Sequence, residues 1–256
     1  MREVKYAFNE DFLKAKINLL AAEEVLYRVM TLEQFVDMMF ASKDGKTTNT
    51  LVRPWMWEDP YEKMLASKKT PFNSERWFGQ CWSLSEESDS IWRNMSYNGL
   101  KRCVKLKVSI ENLKQSLLSY ERQNACFILS PVLYLNEETI ESFAGNATAL
   151  AYLALANKKL SKMQFDIEAT VLLAKRIPFQ GENEVRLLVY DKSDQAKAYI
   201  WTYDFDINSY VDEVMFDPWT PKYYQKNYIN LLKKLGLKDA KKKVKFSKLY
   251  NPITNS

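Results

Sequence analysis

The sequence contains no histidine. That excludes a Ser-His-Asp or Cys-His nucleophile pair and any histidine-ligated metal site, and leaves acid/base work to Asp, Glu, Lys, Tyr or Cys. Cysteine is scarce. Cys81, Cys103 and Cys126 are odd in number, widely spaced and without a Cys-x-x-Cys pair, which argues against a zinc knuckle or a disulfide scaffold and fits a reducing setting. Their apolar neighbours point to buried packing. Only 6 Gly and 8 Pro occur in 256 residues, too few for a loop-dominated chain, and no glycine-rich phosphate loop of the Rossmann or P-loop type is present. No run of about 18 apolar residues occurs, so no membrane span is expected. Met1-Arg2-Glu3-Val4-Lys5 lacks an apolar signal core, and the expectation is a soluble cytoplasmic protein.

What the chain does have is an ordinary globular balance, with 46% hydrophobic and 27% charged residues. The net charge of +5 is too small to name a nucleic-acid partner, and too small to exclude one. The excess gathers at Lys233, Lys234, Lys238, Lys241, Lys242, Lys243, Lys245 and Lys248. A helix C-terminus favours cations, and lysines on an edge strand block aggregation; a phosphate-binding patch is the other reading.

The expected elements mix helices and strands without a regular βαβ rhythm. Helices are expected over 9–22, from Thr31 to Phe40 behind a Thr31–Gln34 capping box, from Asp59-Pro60, over 88–97, 112–120 and 137–160, and from Thr220-Pro221 to Gly236. Strands are expected over 24–30, 50–55, 76–83, 104–110, 125–135, 170–176, 185–190, 198–205, 211–216 and 243–249. Asp44-Gly45-Lys46 reads as a turn, and Val104 to Ile110 as a half-buried strand with one wet face. No repeat or linker divides the chain. One α+β domain over residues 1–256 is expected, with a mixed, mostly antiparallel sheet and flanking helices.

The most informative stretch is Gly181-Glu182-Asn183-Glu184-Val185-Arg186. On a strand, Glu182 and Glu184 point the same way. At the entrance to a strand starting at Val185 they can share one environment, where mutual repulsion raises one pKa. Such a pair suits acid/base or cation-stabilising chemistry, and two surface glutamates on a solvated turn is the plainer reading. Asp59 and Glu62 are explained by helix capping, and Asp217-Pro218 by a strand-ending turn.

In order along the chain, Leu26-Tyr27-Arg28, Glu58-Asp59-Pro60-Tyr61-Glu62, Cys81-Trp82-Ser83-Leu84-Ser85 with Trp92, Lys175, Glu182 to Arg186, Val211 to Pro218 and Ser247-Lys248-Leu249-Tyr250 resemble the bacterial domain-of-unknown-function family 2971. The resemblance spans about Val25 to Asn251. It departs at Met95 to Asn98, where members usually carry a Trp-x-His-Tyr-like stretch. The family name implies no activity.

Arg28, then Ser83-Leu84-Ser85, then Glu182-Asn183-Glu184 also resemble the ordered motifs of arginine-serine-glutamate ADP-ribosyltransferases, with Leu84 in place of the usual Thr. This resemblance implies an ADP-ribosyltransferase-like fold and NAD as co-substrate, with no resident cofactor or metal. Glu184 would stabilise an oxocarbenium-like transition state and grip the ribose 2′-hydroxyl. Glu182 would orient or deprotonate an unknown acceptor. Arg28 would bind a phosphate or ribose, Ser83 would hold Glu184 by a hydrogen bond, and Ser85 of the same motif, with Arg28, Ser83 and Trp82, would belong to the cofactor-binding set. Trp82, Tyr97 or Phe179 would stack on nicotinamide. By analogy, the activity would belong to bacterial conflict or phage defence. The same residues read structurally as an Arg28–Glu62 pair, serines before a helix cap and core tryptophans. A non-catalytic nucleotide-, peptide- or nucleic-acid-binding module and a histidine-free nuclease are the rival functions.

Overall fold

The computed structural model describes residues 24–40, 47–65, 74–118, 125–142, 161–193 and 198–251. The expected helix over 9–22, the turn at 44–46 and residues 143–160 of the expected helix over 137–160 lie outside the described residues. The strands are β1 (Val25–Thr31), β2 (Thr48–Val52), β3 (Trp77–Ser83), β4 (Cys103–Ser109), β5 (Ala125–Pro131), β6 (Leu133–Leu135), β7 (Ala174–Arg176), β8 (Glu184–Asp191), β9 (Ile200–Asp204), β10 (Glu213–Phe216) and β11 (Val244–Phe246). The helices used below are α1 (Leu32–Phe40), α2 (Pro60–Leu65), α3 (Asp89–Ser96), α4 (Ile110–Leu118), α5 (Ser161–Val171) and α6 (Gln225–Lys234). The fold class is α+β, with mixed and mostly antiparallel strand pairing.

The chain packs into two compact units, each assembled from separate segments. Leu51–Cys81 and Leu117–Trp201 belong to the first; Ala22–Thr50, Trp82–Ser116 and Thr202–Ser256 belong to the second.

In the first unit β5 and β8 pair antiparallel from Ala125↔Asp191 to Pro131↔Val185. Both are nearly continuous apolar runs, and both are buried along almost their whole length. That pattern belongs to strands covered on both faces. Trp57, Trp77, Ile128, Ala169, Leu172, Leu173 and Leu188 form the core beside them. The Trp77 ring packs with Phe165 and Tyr190 at centroid distances of 5.0 and 5.1 Å. Its indole N–H donates to Glu168 Oε2 at 2.7 Å, which satisfies a polar group that burial would otherwise leave wanting. Gly79 pairs with Val52, and a Cβ at Gly79 would run into the Trp57 ring and come within 3.3 Å of Leu188. Glycine is required there by the close approach of the ring.

Two expected strands differ. The 125–135 segment breaks into β5 and the short β6, and β6 pairs parallel with β7 from Leu133↔Ala174 to Leu135↔Arg176. Residues 170–171 end helix α5 instead of starting a strand, because Ala169, Leu172 and Leu173 are all needed in the core beside Trp77.

In the second unit β1 pairs antiparallel with β4 from Val25↔Ser109 to Thr31↔Cys103, and β4 pairs on its other side with β10. Leu26, Met30, Val104, Leu106, Val108, Phe35 and Val214 are buried at these pairings and under α1. The capping box forms as expected: Gln34 N–H donates to Thr31 Oγ1 at 3.2 Å, and Thr31 N–H donates to Gln34 Oε1 at 3.0 Å. The wet face expected for β4 is only partly wet. Lys105 is buried, with its ammonium 5.0 Å from the Tyr27 ring centroid and donating to the Glu86 carbonyl. The chain entering α3 covers this position, and burial pushes the Lys105 pKa down.

Candidate functional site

The candidate residues distribute over the two units, and each set is described within its own. Arg28, Trp82, Ser83 and Ser85 lie in the second unit, while Glu182 and Glu184 lie in the first.

In the second unit Arg28 sits mid-way along β1 and donates from Nη1 to Asn49 Oδ1 at 2.7 Å. The Asn49 amide donates in turn to the Tyr203 hydroxyl at 2.9 Å. Trp82 is 2% exposed, so its ring is part of the core. Ser83 is buried, and its hydroxyl accepts the Ser85 backbone N–H at 2.9 Å, which turns the chain out of β3. Tyr97 caps α3 in the left-handed region, at φ 51°, and is exposed with the Lys101 ammonium 4.8 Å from its ring centroid.

The first unit gathers a dense ionic cluster at the start of β8. Glu182 ends a 3-10 helix (Ile177–Glu182), and Asn183 takes the left-handed conformation at φ 44° before β8 begins at Glu184. The two glutamates are therefore not successive same-face residues of one strand. They converge because Lys175 of β7 bridges them: its ammonium lies 2.5 Å from Glu182 Oε2 and also pairs with Glu184 Oε2. The residue that shares a strand face with Glu184 is Arg186. It holds Glu184 Oε1 from Nε at 2.8 Å and from Nη2 at 2.7 Å. Nη2 also reaches Glu62 Oε1 at 2.8 Å, and Nη1 donates to the Leu172 carbonyl. The guanidinium lies 4.2 Å from the Trp57 ring centroid and is fully buried.

Neighbouring elements fix this arrangement. Asp59 caps α2 by accepting the Tyr61 N–H at 2.9 Å and pairs with Arg176 of β7 at 3.2 Å, so the helix that carries Glu62 is tied to the strand that carries Lys175. The parallel register places Tyr134 beside Lys175, and the Tyr134 hydroxyl accepts the Glu184 N–H at 2.8 Å. The Phe179 ring carries the Lys175 and Arg176 cations at 5.1 and 5.2 Å from its centroid.

The electrostatics reverse the expectation of a raised glutamate pKa at this pair. Burial alone would raise the Glu184 pKa; the charges of Arg186 and Lys175, with their hydrogen bonds, outweigh it and hold it at about 2. The carboxyl pushed upward is Glu62, by its burial and then by the neighbouring Glu184 charge, against the attraction of Arg186. Burial works against the Lys175 ammonium as well, and the two glutamates overcome it to hold its pKa above the usual lysine range.

The sequence explains Glu62 by capping or by a pair with Arg28 and gives Lys175 and Arg186 no role; in the structure Glu62 pairs with Arg186, while Arg28 donates to Asn49. The signal for Arg186 was present: an arginine inside the apolar run Val185-Arg186-Leu187-Leu188-Val189 must find a carboxylate if the strand is buried. Cys81 is expected from its apolar neighbours to be buried packing, whereas it is exposed, with the Glu184 carboxylate among the charges that act on its thiol. Desolvation by the protein packed around it, and then the Glu184 charge, push its thiol pKa up, so at neutral pH Cys81 is a protonated thiol.

Side-chain exposure divides the two glutamates, at 23% for Glu182 and 3% for Glu184. The cluster thus offers one carboxylate held ionised at neutral pH by two cations, one more accessible carboxylate on the same lysine, and an exposed thiol in the same unit. Among the described residues no group of three or more His, Cys, Asp or Glu is arranged to hold a metal ion. No family model matches the chain, and the searches of curated proteins and of solved structures return no match.

Proposed function

We propose that this protein binds NAD and cleaves its nicotinamide–ribose bond at the Glu182–Glu184 segment, passing ADP-ribose to an acceptor. The observation that carries the reading is the Glu184 carboxylate, held ionised by Arg186 and Lys175. A carboxylate that never takes a proton at neutral pH is unsuited to be a general acid and suited to stabilise a cation. NAD cleavage asks for that combination. The leaving nicotinamide takes the electron pair of its C1′–N bond and departs neutral, so no acid is needed and the absence of histidine is no obstacle. The positive charge left on the ribose faces Glu184. The acceptor, an amino-acid side chain or water, adds to C1′ and loses its proton to Glu182, the more accessible carboxylate.

One observation favours a second reading, a non-catalytic module stabilised by this cluster. Both Glu184 oxygens already accept from cations, and the donors of Arg186 are shared among Glu184, Glu62 and Leu172. Incubation with NAD labelled on its adenylate portion separates the two. Transfer of label, or formation of free ADP-ribose, that Glu182→Gln slows and Glu184→Gln abolishes supports the enzyme. Absence of turnover together with an unchanged melting temperature in NAD selects the module.

A further inference from the structure

We propose that the outward face of α6, together with the 3-10 turn before it, binds single-stranded nucleic acid. Residues 222–248 carry ten lysines and a single acid, Asp239. The inner side of α6 is committed to the second unit: Leu232 is buried, and the Tyr228 ring stacks on Phe216 with centroids 4.7 Å apart and planes at 25°. The outer side presents Lys222, Lys226, Lys233 and Lys234, all exposed, with Tyr223 at 75% and Tyr224 at 45% exposure. Lys226, Asn230, Lys233 and Lys234 are spaced by four, seven and eight residues, which places them on one helix face.

Ordinary structural causes cover part of this charge. Lys233 and Lys234 occupy the last turn of α6, where the helix dipole favours cations. The Lys243 ammonium donates to the Asn208 and Val211 carbonyls at 2.8 and 2.7 Å. Neither cause applies to Lys222 and Lys226. Lys226 sits in the first turn of α6, where the dipole disfavours cations and no acid lies, and Lys222 opens the 3-10 turn just before it. Among the described residues none of Lys222, Lys226, Lys233 and Lys234 forms an ion pair. The positive charge of Lys226 at the N-terminal end of α6, beside the exposed Tyr223 ring and the half-exposed Tyr224 ring with centroids 4.5 Å apart, fits a polyanion with exposed bases. The lysines would follow the phosphates and the tyrosines would stack with bases. A duplex offers only its backbone to such a surface, so the tyrosines select the single strand.

The test is fluorescence anisotropy with a labelled oligothymidine about 16 nucleotides long. It compares the intact protein with the double variants Lys222→Gln/Lys226→Gln and Tyr223→Ala/Tyr224→Ala, all checked by circular dichroism. The expected result is binding that weakens by about one to two powers of ten between about 50 and 200 mM salt. The lysine variant should weaken binding about tenfold or more and flatten the salt slope. The tyrosine variant should weaken it about tenfold and leave the slope unchanged. The proposal is overturned by no binding at the lower salt, by equal competition from duplex with no effect of the tyrosine variant, or by stronger binding to phosphatidylserine vesicles than to the oligonucleotide.

Discussion

Glu184 and Arg186 stand two residues apart on β8 and close their own ion pair, with Glu184 Oε1 lying 2.8 Å from Nε and 2.7 Å from Nη2 of the guanidinium. Side chains at i and i+2 share a strand face, so a Glu-x-Arg sequence entering a buried strand brings its counter-charge with it. Two cations and three carboxylates are then linked in a row, Glu182–Lys175–Glu184–Arg186–Glu62.

Breaking the row in the middle costs more than trimming its end. Arg186→Met leaves Glu184 and Glu62 buried without their shared partner, and a loss of about 3–5 kcal/mol is expected. Glu62→Gln keeps a hydrogen-bond acceptor and removes a charge whose burial is unfavourable, so its loss should be much smaller. Urea denaturation at neutral pH orders the two.

The depressed Glu184 pKa makes a directional statement about acid stability. A carboxyl whose pKa falls from an ordinary 4.5 to about 2 on folding contributes stability above the ordinary value and loses it as pH drops from about 4.5 towards 2. Glu62, shifted upward by burial, works in the opposite sense: its contribution is lost as pH rises through its folded value. Unfolding midpoints measured from pH 5 down to pH 2 should therefore fall steeply for the intact protein. The fall should be shallower for Glu184→Gln, which lacks the titrating group.

Cys81 is exposed and should nonetheless resist alkylation, because the surrounding protein and the Glu184 charge keep its thiol protonated. Peptide-resolved mass spectrometry with iodoacetamide near pH 8 is expected to show slow labelling. Labelling should accelerate in Glu184→Gln, where the charge opposing the thiolate is gone.

Gly79→Ala places a methyl group against the Trp57 ring and 3.3 Å from Leu188. Overpacking of this kind costs about 1–3 kcal/mol. Because the Trp57 ring also lies against Arg186, the variant should blue- or red-shift tryptophan fluorescence as well as lower the melting temperature.

Much of the fold is legible in short-range signals. The Thr31–Gln34 capping box, the Asp59-Pro60 helix start and the helix expected over 88–97 all depend on neighbours within a few residues, and all appear in the structure, while the alternation of β4 holds only from Leu106 to Ser109. The failures have a common physical cause. Lys105 looks like a solvent-facing strand residue until the chain near Glu86 covers it, and Thr170 looks like a strand start until the core beside Trp77 claims the residues around it for α5. The ionic cluster is half legible in the sequence. The spacing of Glu182 and Glu184 marks the segment, yet what brings the two carboxylates together is Lys175, seven and nine residues away on another strand. Glu62 lies 124 residues from Arg186, beyond any local pattern.

The most direct test is nicotinamide release from NAD by the intact protein and by Glu184→Gln, with folding of both verified by circular dichroism. Release by the intact protein, reduced about 100-fold or more in the variant, is the predicted result. Absence of release from the intact protein, or equal release from a folded Glu184→Gln, contradicts the assignment of the ionised glutamate as the group that faces the ribose cation.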